Sequence, residues 1–180
     1  NLLDGKAATN LALVGKQGGT NFDNSLLVGT TATGTLNSAL SNVGVGINSL
    51  RIITSGDNNT AIGVQTGYDL TSGESNTLIG HNAGVNVSSG HYNICLGKSA
   101  GDNITTGRGN VVIGKADVSS ATGNDQLSIS DGEDGSVAWI KGDSNGQVKL
   151  ISGYVLEVAL TDAATITWNA ATQPVAKVTL

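Results

Sequence analysis

The chain has 180 residues, a mass of 18.0 kDa and a formal charge of −5, with only 13% charged residues beside 26 glycines, one proline and no methionine. Its 38% hydrophobic content and mean hydropathy of +0.03 demand a buried core, which excludes a disordered chain poor in apolar residues and rich in charge. The nine Lys and Arg are scattered along the sequence, so no basic footprint for phosphate backbones exists and nucleic-acid binding is not expected.

Residues 1–23 open at Asn1 without Met or a basic-then-apolar leader, and no run approaches the roughly 18 apolar residues of a membrane span. The expectation is a piece of a longer or processed chain that does not insert into a membrane. Asn10 to Gly15 and Asn24 to Gly29 form a loose pair with a shorter offset than the repeats that follow, which predicts a divergent repeat or cap over 1–23.

From residue 24 to 115 the sequence repeats itself. Gly29, Gly46, Gly63, Gly80, Gly97 and Gly114 recur with an unvarying 17-residue period. One position earlier stand Val28, Val45, Ile62, Ile79, Leu96 and Ile113, all aliphatic, and four earlier stand Asn42, Asn59, Asn76, Asn93 and Asn110. Seven positions after the glycine come Leu36, Ile53, Leu70, Val87 and Ile104; ten after come Gly56, Gly73, Gly90 and Gly107, each behind a Thr or Ser pair. The unit reads as a short strand, a glycine corner, a second short strand and a Thr/Ser-Gly turn. Glycine serves where the backbone needs positive φ or close approach, and Asn tolerates the left-handed region while bonding its own backbone. No segment shows helical apolar spacing over a dozen residues, so the fold class is all-β, a 17-residue β-roll or β-solenoid.

The strand before each glycine is apolar on both faces. Ile62, Ile79, Leu96 and Ile113 point one way, and their neighbours Ala61, Leu78, Cys95 and Val112 point the other. A strand covered on two sides needs one partner within its own coil and another outside it. That requirement predicts a fibrous homotrimer with Leu78, Cys95 and Val112 facing sister subunits; a solenoid complete in one chain is the alternative.

Asn59-Thr60-Ala61-Ile62-Gly63, Asn76-Thr77-Leu78-Ile79-Gly80-His81-Asn82-Ala83-Gly84 and Asn110-Val111-Val112-Ile113-Gly114 resemble the head repeats of trimeric autotransporter adhesins of the YadA type. They resemble more closely the repeats with a Thr-Ser-Gly spacer in bacteriophage tail fibres and related virion proteins. The similarity covers residues 24–115, although the adhesin repeat is commonly shorter than the unit here. The resemblance implies a left-handed β-roll of three chains side by side, acting as a stiff spacer in a virion tail fibre or surface appendage. The implied partners are other virion or fibre proteins and a host surface glycan or receptor. A bacterial cell-surface adhesin head and a tail-associated glycan-degrading enzyme are the other functions such a solenoid could serve.

Past Gly114 the period fails. Residues 116–150 carry strands near 124–129 and 137–142 around the acidic turn Asp131-Gly132-Glu133-Asp134-Gly135, and read as a capping segment with Trp139 closing the last coil. Residues 151–180 carry three alternating stretches, 155–160, 164–168 and 175–180, expected to begin a small C-terminal β module.

Residues that could carry chemistry are few. Gly97-Lys98-Ser99 lacks the earlier glycine of a phosphate loop, because position 92 is Tyr92. His81 and His91 lie at unlike repeat offsets with no recurring carboxylate or thiol beside them, and the acidic turn at 131–134 lacks full calcium-ligand spacing. Cys95, the single cysteine, sits at the offset of Ala61, Leu78 and Val112 and reads as a small buried hydrophobe rather than a nucleophile. The sequence therefore predicts no catalytic residue, cofactor or metal, and a non-enzymatic protein.

Overall fold

The computed structural model describes residues 15–17, 21–30, 33–150, 165–167 and 177–179. The expected strand at 155–160 lies outside them, as does most of the expected N-terminal cap. Ten short strands form one sheet in strict sequence order: β1 (Gly15–Gln17), β2 (Leu26–Val28), β3 (Val43–Val45), β4 (Thr60–Ile62), β5 (Thr77–Ile79), β6 (Ile94–Leu96), β7 (Val111–Ile113), β8 (Leu127–Ser130), β9 (Ala138–Gly142) and β10 (Val148–Leu150). Two further strands, β11 (Thr165–Thr167) and β12 (Lys177–Thr179), pair antiparallel within two of the stretches expected to be strands. Among the described residues there is no helix.

From β2 to β8 every neighbour is parallel, and the register steps through Leu27, Gly44, Ala61, Leu78, Cys95 and Val112, one full period at a time. The last step shortens, pairing Val112 with Ser128. Parallel strands one repeat apart, in sequence order, define a β-solenoid in which each repeat is one coil.

Each coil has one strand rather than the two expected. The stretch around Ile53, Leu70, Val87 and Ile104 is a succession of turns, in which the N–H of Leu70 donates to the carbonyl of Gly67 and that of Val87 to Gly84, both at 3.1 Å. Left-handed residues at Gln65, Gly67, Asn82, Gly84, Ser99 and Gly101 prevent a second extended run. Backbone bonds still tie coil to coil here, as from Thr71 N–H to the Ser88 carbonyl at 3.0 Å and from Ser88 N–H to Thr105 at 2.9 Å.

The strand's middle residue points into the coil. Leu78, Cys95 and Val112, expected to face sister subunits, are fully buried within their own chain, among Leu70, Val87 and Ile104 from the turns and Ala83 and Ala100 just past the corners. This corrects the assignment of faces: period-2 alternation separates the two sides of a strand but does not say which is inside, and the corners here turn toward the middle residue. One coil departs from the pattern in a compensated way. Gly44 contributes no inward side chain, and Leu27 occupies the room a Cβ there would need, with Leu50 in ordinary contact beside it. Leu50 itself holds, in left-handed conformation, the position that is Gly67, Gly84 and Gly101 in later coils.

Antiparallel strands flank the stack at both ends. β1 runs antiparallel to β2, so the Gly15 segment reverses instead of adding a coil in phase. At the other end β9 and β10 fold back antiparallel on β8, with a register shift between Ile129 and Ser130. Trp139, expected to close the last coil, is 46% exposed. It is the residue passed over where the register shifts, since Ile129 pairs with Ile140 and Ser130 with Ala138, so it has no partner in β8.

Candidate interaction face and buried amide ladder

The two flanking residues of each three-residue strand point outward. One column runs Leu26, Val43, Thr60, Thr77, Ile94 and Val111; the other runs Val28, Val45, Ile62, Ile79, Leu96 and Ile113. Leu26, Val43, Val45, Ile62, Ile79, Ile94 and Ile113 are exposed large hydrophobics, and neither column carries a charge. Ile62, Ile79, Leu96 and Ile113 thus belong to the outward face, not to the core. Single exposed aliphatics are ordinary; two unbroken columns over six parallel strands make a patch. Beyond the corner glycines the adjoining column changes along the stack, from Ile47, 61% exposed, and Val64 to His81, Lys98 and Lys115.

The repeat glycines stand at the corners. Gly46, Gly63, Gly80 and Gly97 have φ between 132° and 139°, and a Cβ on Gly80 would fall on the carbonyl oxygen of Gly97 in the next coil, closer than real Cβ contacts occur. Gly29 and Gly114 close the series at φ 88° and 89°. Gly97-Lys98-Ser99 is one such corner and continues into turns through Ser99 at φ 55°, so no helix N-terminus stands behind it for a phosphate.

The repeat asparagines have a role that their spacing did not suggest. They are not the left-handed residues; those lie one position earlier, at Ser41, Asn58, Ser75, Tyr92 and Gly109. Asn42, Asn59, Asn76, Asn93 and Asn110 are buried and bonded from coil to coil. The Oδ1 of Asn59 accepts from the backbone N–H of Asn76 at 2.9 Å and from its Nδ2 at 3.0 Å, while the Nδ2 of Asn76 also donates to the Gly90 carbonyl at 2.9 Å. Asn93 and Asn110 repeat the arrangement on Gly107 and Gly123. Ser25 begins the ladder by accepting from the Asn42 N–H at 2.8 Å, and Gln126, whose extra methylene accompanies the shortened last step, ends it on Asn110 at 3.0 and 3.1 Å. Each interior amide makes its donations and acceptances within the protein, so burial leaves none of these polar atoms without a partner.

The other candidates have structural surroundings. The Cys95 thiol is pushed up to about 12 by burial and, secondarily, by the Asp117 carboxylate, so it is neutral at physiological pH and unsuited to nucleophilic attack. His91 Nδ1 accepts from the Glu74 N–H at 3.1 Å, which places the proton of the neutral ring on Nε2. In the acidic turn, Asp131 Oδ1 accepts from the N–H groups of Glu133, Asp134 and Gly135 at 3.0 to 3.1 Å and Oδ2 from Val137 at 2.8 Å. These bonds, that from Val137 foremost, hold its pKa down at about 2 and commit both oxygens to the backbone rather than to a cation.

One further site was not apparent in the sequence. Where β9 folds over the last coil, a polar cavity of about 330 Å³ opens between Ser99, Asp102, Lys115, Asp117, Ser128 and Lys141. Its residues come from three separate coils and the cap, and its charged members, Asp102, Lys115, Asp117 and Lys141, stand at positions the repeat period does not relate.

The architecture and register define a class: this is an all-β solenoid repeat protein with coils of about 17 residues. No protein-family model, curated protein or solved structure matches the chain.

Proposed function

We propose that the chain is a structural spacer: a segment of a fibrous homotrimer, of the kind that forms virion tail fibres and surface appendages, holding an attachment module away from the body that carries it. The observation that carries this reading is the outward face of β2 to β7, two charge-free columns of aliphatic and threonine side chains left uncovered by the chain's own coil. Three copies turned about one axis would cover these faces against one another with closed symmetry and no free edge. The occupants of the trimer axis are then Ile62, Ile79, Ile94 and Ile113, in place of Leu78, Cys95 and Val112. Coils advancing about 4.8 Å each give the described stack a length on the order of 30 Å, and the resemblance of the repeats to tail-fibre sequences favours the virion over other settings. The commitment of Cys95 to the core and of Asp131 to its turn supports a mechanical rather than catalytic role.

Light scattering on the purified chain tests the assembly. A mass of three chains is expected, falling to one chain in the double variant Ile62→Lys, Ile79→Lys with its β-rich circular dichroism retained; a wild-type monomer overturns the reading. Capsid and tail genes flanking the coding sequence would support the virion, whereas a C-terminal membrane anchor in the full-length gene would move the same architecture to a cell surface.

A further inference from the structure

We infer that each corner of the trimer proposed above, on which this site depends, holds one divalent oxoanion of the sulfate or phosphate class between His91 and Arg108 of one subunit and Lys98 of the next. The two edges of the outward face supply these groups. Three residues before each strand stand Asp57, Glu74, His91 and Arg108, and two residues after it stand Val64, His81, Lys98 and Lys115. Both edges are bonded from coil to coil. The N–H of Tyr92 donates to the Glu74 carbonyl and that of Gly109 to the His91 carbonyl, both at 2.9 Å, and on the other edge Ser99 N–H donates to the His81 carbonyl at 2.8 Å. Bases that look scattered along the sequence are thereby stacked one coil, about 4.8 Å, apart.

A three-fold axis along the stack carries no translation, so every corner sets the edge before the strand of one subunit beside the edge after the strand of its neighbour, at equal height. At β3 the corner joins Leu40 to Ile47, and at β5 it joins Glu74 to His81. Apolar meets apolar there, and acid meets base. At β6 and β7 the complement is missing, because His91 meets Lys98 and Arg108 meets Lys115. Lys98 and Arg108 are exposed, and among the described residues neither cationic head has an ion-pair or hydrogen-bond partner in its own chain. The nearest carboxylates lie at the far end of the set. Asp125 sits over Gly109, and Asp134, its pKa lowered by hydrogen bonds from Ser136 and less by Lys115, offsets part of the Lys115 charge. His91 adds a donor without needing a charge, since its Nδ1 is taken by the Glu74 N–H and its Nε2 carries the proton. An imidazole N–H, a guanidinium fork and an ammonium converge as donors only, which suits a ligand that only accepts; two formal positive charges suit a divalent one.

Dissociation of the trimer on dilution, followed by light scattering, tests the site in sodium chloride and in about 10 mM sodium sulfate made up to the same ionic strength. Sulfate should lower the concentration of half-dissociation at least about fivefold, and calorimetric titration of sulfate into the trimer should give one ion per chain. Lys98→Gln and Arg108→Gln should each tighten the trimer in chloride, because they relieve repulsion, and should lose the sulfate response. Side chains that merely support the fold would loosen it instead. Sodium phosphate should act as sulfate does, and dextran sulfate represents a polymeric source of the same group. Binding of the polymer without either free ion, no calorimetric uptake of sulfate, or a sulfate response that survives in Arg108→Gln would overturn the site while leaving the spacer reading in place. A chain that is monomeric in every buffer overturns both.

Discussion

Tyr92 shows how a conformation and a residue type can be fixed by different needs. It holds φ 59° in the column that also contains Ser41, Asn58, Ser75 and Gly109, and a left-handed aromatic residue costs about 1–2 kcal/mol. Tyr92→Gly should therefore stabilise the protein by about 1 kcal/mol, read as a higher urea midpoint with unchanged slope; a lower midpoint would mean that the exposed ring contributes more than the strain costs. The column one residue later behaves oppositely, because its residue type is uniform. Asn76→Ala leaves the N–H of Asn93 and the carbonyl of Gly90 without their partners and takes one of two acceptors from the Asn93 Nδ2, which keeps the Gly107 carbonyl, and at about 1–3 kcal/mol for each buried group the loss should reach about 2–5 kcal/mol. Thermal melts check it; a loss below about 1 kcal/mol would mean that water enters the ladder. That contrast marks a signal the sequence carries in its residue types. A left-handed backbone accepts Ser, Asn, Gly and even Tyr, whereas an amide that must donate twice and accept twice accepts only Asn, with Gln126 at the end.

Among the elements, the strands were legible and the turns were not. An aliphatic residue before a glycine, once per period, located β2 to β7 to within a residue, because the corner glycine ends each strand by stacking on its successor. The second strand failed because apolar residues at one position per period cannot distinguish an extended run from a turn that buries a single side chain, as Leu70 and Val87 do. Strand faces failed too, since three apolar residues in a row leave inside and outside undetermined. The cavity went unseen because Ala138 and Lys141 join Asp102, Asp117 and Ser128 only once β9 reverses over the last coil. The turn at 131–137 makes its own prediction. The folded pKa of Asp131 lies below the ordinary value of 3.8, so the ordering its carboxylate provides is fully present above that value and is lost as pH falls through about 2. Amide exchange at Glu133, Asp134, Gly135 and Val137 should accelerate between pH 4 and 2 while exchange within β4 to β6 does not; parallel loss in both would show that the turn is not a separate unit.

For the whole molecule, contacts between coils are made almost entirely with the coils one period away, so stability accumulates coil by coil. Deleting residues 77–93 removes one full period and joins Asn76 to Ile94, so that Asn76 takes the place of Asn93 beneath Asn110 and the register is restored. The shortened chain should still unfold in one cooperative step, somewhat less stable than the parent. Deleting only 77–85 removes a strand and its corner without restoring the register, and should abolish the cooperative transition by circular dichroism. Equal behaviour of the two deletions would mean that the period is not the unit of folding.

In the amide ladder each asparagine side-chain carbonyl accepts from the coil that follows, and from Asn59 to Asn110 each amino group donates one hydrogen to the side-chain carbonyl of the coil before it and the other to a glycine carbonyl. Their dipoles therefore add along the stack instead of cancelling, so the solenoid is electrically polar from Ser25 to Gln126 and its two ends are chemically distinct. An object built this way has a head and a tail, and a further coil can join correctly in one sense alone.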